Sequence, residues 1–118
     1  MTNYPEALDK MMAIWNSKTA EDIERLTKEA LETNVHFIDP NYNIMGRDAF
    51  IEMVHAVQAK IPGAKYSHVG NFGHQNNFYR YHWAIHMSDT LIMPGFDVTE
   101  VNNTGKIVKI IGFFGELN

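Results

Sequence analysis

The sequence contains no cysteine, which removes disulfides and thiol catalysis from consideration and is the usage expected of a cytoplasmic protein. A surplus of positive charge is missing too. Ten lysines and arginines stand against fourteen aspartates and glutamates, for a formal net charge of -4. The basic residues are scattered along the chain, so nothing offers phosphate backbones an electrostatic footprint, and no nucleic-acid partner is expected. No apolar run approaches the roughly 20 residues that span a bilayer. The opening Met1-Thr2-Asn3-Tyr4-Pro5 has neither the charged nor the apolar region of a secretion signal, so no membrane partner is expected. Internal repeats, low-complexity tracts and linkers are equally absent.

What is present is a well-mixed chain of 118 residues, 45% of them hydrophobic, which predicts one domain over 1–118 with a real core. Tyr4, Leu8, Met11, Met12 and Trp15 fall on one stripe of an amphipathic helix that Asn16-Ser17-Lys18 ends. Thr19 can cap a second helix with Asp22 at the capping-box position, and Ile23, Leu26 and Ala30 form its buried stripe. Val35 to Ile38 reads as a short strand ended by Pro40 and an Asn41-Tyr42-Asn43 loop. A third helix follows Gly46, with Phe50, Met53, Val54, Val57 and Ile61 on its stripe and Pro62-Gly63 as its stop.

From Ala64 onward the hydrophobic period becomes two, the mark of strands joined by turns. Tyr79, Tyr81, Trp83, Ile85 and Met87 form one apolar face, and Arg80, His82, Ala84 and His86 the other. Asn76-Asn77, Ser88-Asp89 and Asn103-Thr104-Gly105 read as turns. On the last strand, Lys106 to Phe114, the expected inner face is Val108, Ile110, Gly112 and Phe114, and Ile107, Lys109, Ile111 and Phe113 point outward. The predicted order is α-α-β-α-β-β-β-β, an α+β fold with the helices covering one face of a curved antiparallel sheet.

Two aspartates stand out against this pattern. Asp39 closes Val35-His36-Phe37-Ile38-Asp39-Pro40, and Asp97 sits in Met93-Pro94-Gly95-Phe96-Asp97-Val98. A carboxylate on an apolar strand face is costly, and desolvation pushes its pKa up towards the range useful in a general acid or base. The alternative is that each caps a turn, Asp39 before its proline and Asp97 after a Pro-Gly pair. The six histidines, His36, His55, His68, His74, His82 and His86, form no compact ligand cluster. His82 and His86 lie roughly 13 Å apart on one strand, too far to share a metal, so no metal site is expected. His68 reads as a surface histidine on an early strand, the alternative being a cavity-facing acid or base.

Trp15-Asn16, Phe37-Ile38-Asp39-Pro40, Gly46-Arg47-Asp48-Ala49 and the closing run from Gly105 to Gly115 together resemble the nuclear transport factor 2-like superfamily, and within it the SnoaL-like proteins. The resemblance covers the whole chain. It implies a cystatin-like cone: three N-terminal helices packed on a strongly curved, mainly antiparallel β-sheet, with one conical cavity that hosts isomerases, cyclases and pure binding modules alike. The ketosteroid isomerase branch implies that Asp39 is the general base and Asp97 the protonated oxyanion-hole carboxyl, the two-carboxyl arrangement known for that enzyme. Its tyrosine on the first helix is matched here by Met11, with Met12 and Trp15 beside it. That departure points away from steroid isomerisation and towards a related proton transfer, with Tyr42, Tyr79 or Tyr81 as substitute donors.

The resemblance also places Trp15, Phe37, Tyr42, Met53, Val57, Tyr81, Trp83 and Phe114 around the cavity with both aspartates, while Gly95 and Gly112 leave room for a ligand. The implied occupant is a small apolar or aromatic molecule, and no cofactor is implied. If the chain is an enzyme, the expected reaction is proton abstraction next to a carbonyl, as in an isomerase or cyclase. The alternative is a non-catalytic ligand-binding or dimerisation module. Ile111 and Phe113 on the outer face need cover, which a homodimer through that face would give.

Overall fold

The computed structural model describes residues 4–115; Met1-Thr2-Asn3, part of the opening stretch read for a secretion signal, lie outside them. Three helices, α1 (Glu6–Asn16), α2 (Ala20–Ala30) and α3 (Arg47–Lys60), pack on a sheet of six strands. The strands are β1 (Leu31–Ile38), β2 (Asn43–Met45), β3 (Lys65–Gln75), β4 (Phe78–Met87), β5 (Thr90–Val101) and β6 (Ile107–Phe114). Their order across the sheet is β2-β1-β6-β5-β4-β3. All neighbours are antiparallel except β1 and β6, so the sheet is mixed and open, and the fold is α+β. Among the described residues no helix is long and apolar enough to cross a membrane.

Local chemistry accounts for the element ends. The Thr19 hydroxyl accepts from Asp22 N at 3.2 Å, capping α2 as its sequence predicts. Gly46 adopts φ +95, a backbone conformation that side chains strain to reach, and its N–H donates to Val35 O at 2.8 Å to swing the chain from β2 into α3. Arg47 then donates from Nε to Leu31 O at 2.9 Å and from Nη2 to Lys28 O at 3.3 Å. The Gly46-Arg47 pair thus ties the start of α3 to the α2–β1 junction, where those carbonyls need donors. Gln58 on α3 donates to Trp15 O at 3.1 Å and Ser17 O at 2.9 Å, locking α3 to the end of α1.

Three local expectations are revised. The first strand begins at Leu31, directly after α2, because Leu31 is itself buried and pairs with Ile107. The Asn41-Tyr42-Asn43 segment leads into a strand instead of remaining a loop, with Asn43 pairing Ile38. On β6 the alternation slips: Val101 pairs with Ile107 but Glu100 with Lys109, so Val108 is an extra, bulged residue. The bulge turns Ile107 inward beside Ile110, and both are fully buried. The core joins these to Leu8, Met11 and Ile14 of α1, Ile23 of α2, Val35 and Phe37 of β1, and Phe50, Met53 and Val54 of α3.

Candidate active site

Strand pairing builds the candidate site row by row. Tyr81, Asp97 and Gly112 are cross-strand partners on β4, β5 and β6, so their positions share one face of the sheet. Asp39, just beyond the end of β1, comes up on the other side of Gly112. A Cβ built on Gly112 would meet Asp97 Oδ1 at 3.0 Å and Asp39 Cβ at 3.5 Å. The missing side chain is what lets two carboxyl groups stand together over the sheet.

The next row is Trp83, Gly95 and Phe114. A side chain on Gly95 would collide with the Trp83 ring, so the indole lies across a bare stretch of β5 backbone. From there it reaches diagonally and donates Nε1–H to Asp97 Oδ1 at 2.8 Å. Pro94-Gly95-Phe96-Asp97 therefore supplies both the seat for the indole and the acceptor it points to. Phe114 meets Trp83 edge to face, with centroids 6.0 Å apart.

The two carboxyls have different surroundings. Asp97 is in mid-strand, and no backbone N–H bonds its side chain among the described residues, which leaves the turn-capping alternative without support there. Burial pushes its pKa up to about 7; the hydrogen bonds of Trp83 and the Tyr81 hydroxyl oppose the rise, and the nearby Asp39 charge adds to it. Asp39 does cap its turn: Oδ1 accepts from Asn41 N at 2.8 Å and Tyr42 N at 2.9 Å. Burial still raises its pKa, against the pull of those two N–H groups. Its second oxygen has no hydrogen-bond partner among the described residues, so one oxygen anchors the turn and the other is available for chemistry.

Both carboxyls line a cavity of about 270 Å³ between the sheet and the helices. Trp15, Phe37, Tyr42, Val57, Trp83 and Phe114 line it as well. Met53 and Tyr81, expected beside them, do not. Met53 is buried in the core on the inward stripe of α3. Tyr81 is fully buried under the sheet's inner layer, its hydroxyl bonded to Thr99 Oγ1 at 2.9 Å and its ring packed on Phe72. Of the suggested substitute donors only Tyr42 reaches the cavity; Tyr79 stacks on His74. His68 is not a surface residue: its ring packs against Phe72 and Tyr81, and burial lowers its pKa.

Met11, Met12, Lys60, Ile61, Ile85, Ile92, Met93 and Tyr66 also form the walls. Tyr66, like Lys60 and Asn41, is a polar wall residue that the sequence did not single out. It stands on β3, which shifts register between Val69 and Gly73. That shift of two residues keeps Tyr66 on the inner face and sets it opposite Ile85, an inner-face residue of β4. Among the described residues no three His, Cys, Asp or Glu side chains converge in a way that could hold a metal.

No protein-family model and no curated protein matches the sequence. Solved structures do. A proposed isomerase of the SnoaL-like family from Agrobacterium tumefaciens superposes with a TM-score of 0.88 at 26% identity, covering 93% of this chain and 95% of its own. An NTF2-like protein of unknown function from Exiguobacterium sp. 255-15 gives 0.75 at 17% identity, covering 94% and 99%. A proposed SnoaL-like polyketide cyclase from Jannaschia sp. CCS1 gives 0.72 at 8% identity, covering 97% and 89%. In the last two the likeness is one of fold.

Proposed function

We propose that this chain, a SnoaL-like member of the nuclear transport factor 2-like superfamily, binds a small, largely apolar carbonyl compound and moves a proton on the carbon next to its carbonyl, in an isomerase- or cyclase-type reaction. The observation that carries the reading is the pair of carboxyls flanking Gly112 in a largely apolar cavity. Asp39, the more readily ionised of the two, takes the proton with its unbonded oxygen. Asp97 keeps its proton until about pH 7, and with Trp83 on its Oδ1 and the Tyr81 hydroxyl beside the same carboxyl, its O–H stabilises the enolate oxygen. Neutral Asp97 beside ionised Asp39 also avoids placing two like charges in one dry site.

Size narrows the occupant. A cavity of about 150 Å³ takes benzene, so about 270 Å³ suits a molecule of roughly two fused rings. The test is solvent-deuterium exchange at the carbons next to the carbonyl of 2-tetralone, a bicyclic ketone, followed by NMR. The protein should accelerate exchange over buffer, and Asp39→Asn should lose about 10²- to 10⁴-fold of that acceleration while still binding the ketone. Binding without any acceleration would leave a ligand carrier and end the enzyme reading.

For the outer sheet face, the partner we propose is a second copy of the chain. Val69, His82, Phe96 and Phe113 form one cross-strand row there, with Val69 and Phe113 about half exposed. An isologous pairing of two such faces would cover both.

A further inference from the structure

Tyr66 is held firmly for a residue whose hydroxyl bonds to nothing among the described residues. Asn16 at the end of α1 grips its backbone from both sides, donating Nδ2–H to Tyr66 O at 2.8 Å and accepting from Tyr66 N at 2.8 Å. Its ring stacks on Trp15 at a centroid distance of 5.3 Å and an interplanar angle of 28°. The hydroxyl is nevertheless buried in the wall of the cavity without a hydrogen-bond partner among the described residues. A buried hydroxyl left unpaired is destabilising, so its retention in a rigid mount calls for an explanation.

Accepting the cavity as a ligand site, we infer that the Tyr66 hydroxyl is a second polar anchor, selecting an occupant that carries a hydrogen-bond acceptor at the end remote from the two carboxyls. The sheet register separates the two anchors. Tyr66 pairs with Ile85, and Asp97 with Tyr81, four residues further along β4. That is about 13 Å along the strand and two strand spacings, about 9.5 Å, sideways. Trp83 and Ile85 lie on the inner face between them and offer only ring and alkyl surface to the middle of a ligand. The matching molecule is flat and apolar in its middle with oxygen at both ends. Tyr66 acts as a donor, not a base, since burial raises its pKa to about 12 and the phenol stays protonated at any physiological pH.

Two probes of equal shape test this: 6-acetyl-2-naphthol, whose acetyl oxygen can accept from Tyr66, and 6-isopropenyl-2-naphthol, which replaces that oxygen with a methylene. Calorimetry should show wild type binding the acetyl compound roughly 3- to 10-fold more tightly, the worth of one neutral hydrogen bond. Tyr66→Phe should abolish the preference by weakening only the acetyl compound, with unchanged binding of the isopropenyl compound proving that the variant is folded. Equal affinities in wild type, or a preference that survives Tyr66→Phe, would overturn the anchor and leave the cavity reading standing. Failure of both probes to bind wild type would overturn the two together. Equal wild-type affinities overturn the anchor even if the variant does not fold, and Tyr66→Leu, read the same way, then stands in for Tyr66→Phe.

Discussion

At Asp97 an indole N–H and a tyrosine hydroxyl favour the carboxylate, and desolvation outweighs both. The consequence for stability has a definite sign. An unfolded aspartate releases its proton near pH 4, whereas Asp97 in the fold holds it to about pH 7. Between those values the native state binds the extra proton, so stability falls as pH rises, by at most about 1.4 kcal/mol per pH unit. Asp97→Asn keeps the acceptor for Trp83 and removes the titration. Thermal unfolding should therefore show the variant more stable than wild type at pH 8, with the advantage gone at pH 4. A wild-type midpoint that does not move between pH 5 and 8 would contradict this. The same ionisation should make exchange of the bicyclic ketone decline above about pH 7. Asp39 and Asp97 were legible in the sequence because a carboxylate among strand hydrophobes breaks the pattern. Tyr66 was not, because a tyrosine in a strand looks like core, and only three-dimensional accounting shows its hydroxyl to lack a partner.

Among the elements, β5 does most to shape the candidate site. Gly95 gives the Trp83 indole its seat, and Asp97, two residues on, receives the indole N–H. Gly95→Ala should cost roughly 1 to 3 kcal/mol by overpacking, and the displaced indole should show altered tryptophan fluorescence and a more alkaline Asp97 titration, because a lowering hydrogen bond is lost. A variant with wild-type unfolding midpoint and emission would show that the ring has another place to lie. Helices were readable from their stripes and caps, since Thr19 bonds Asp22 N as its position suggests. The irregular parts were not. Three residues, Asn43–Met45, are too few to show a period, and the bulge at Val108 reverses the expected faces of Ile107 and Val108 while the rest of β6 keeps the alternation.

For the whole molecule, the proposed pairing of outer faces would set the assembly state. Phe113 is 53% exposed at one end of its apolar row, and burying such a side chain stabilises contact by roughly 1.5 to 3 kcal/mol. Sedimentation should find wild type dimeric at micromolar concentration and Phe113→Glu monomeric, with ligand binding in the cavity on the opposite face retained. A monomeric wild type would rule the pairing out. The overall architecture was legible through motifs that hold the fold, Gly46-Arg47 above all, since Arg47 fastens α3 to the α2–β1 junction. The parallel pairing of β1 with β6 was hidden, because nothing local to either strand names its neighbour. That pairing bears on how the molecule is made. Leu31 must wait for Ile107, and Ile38 for Ile111, so β1 leaves the ribosome long before the strand that will lie against it. Such distant closure is slow, and meanwhile an open strand edge is available to any other chain. Asp39, beside β1, meets Gly112 only when β6 lies between β1 and β5, so the proposed base and acid come together only once that long-range pairing has formed.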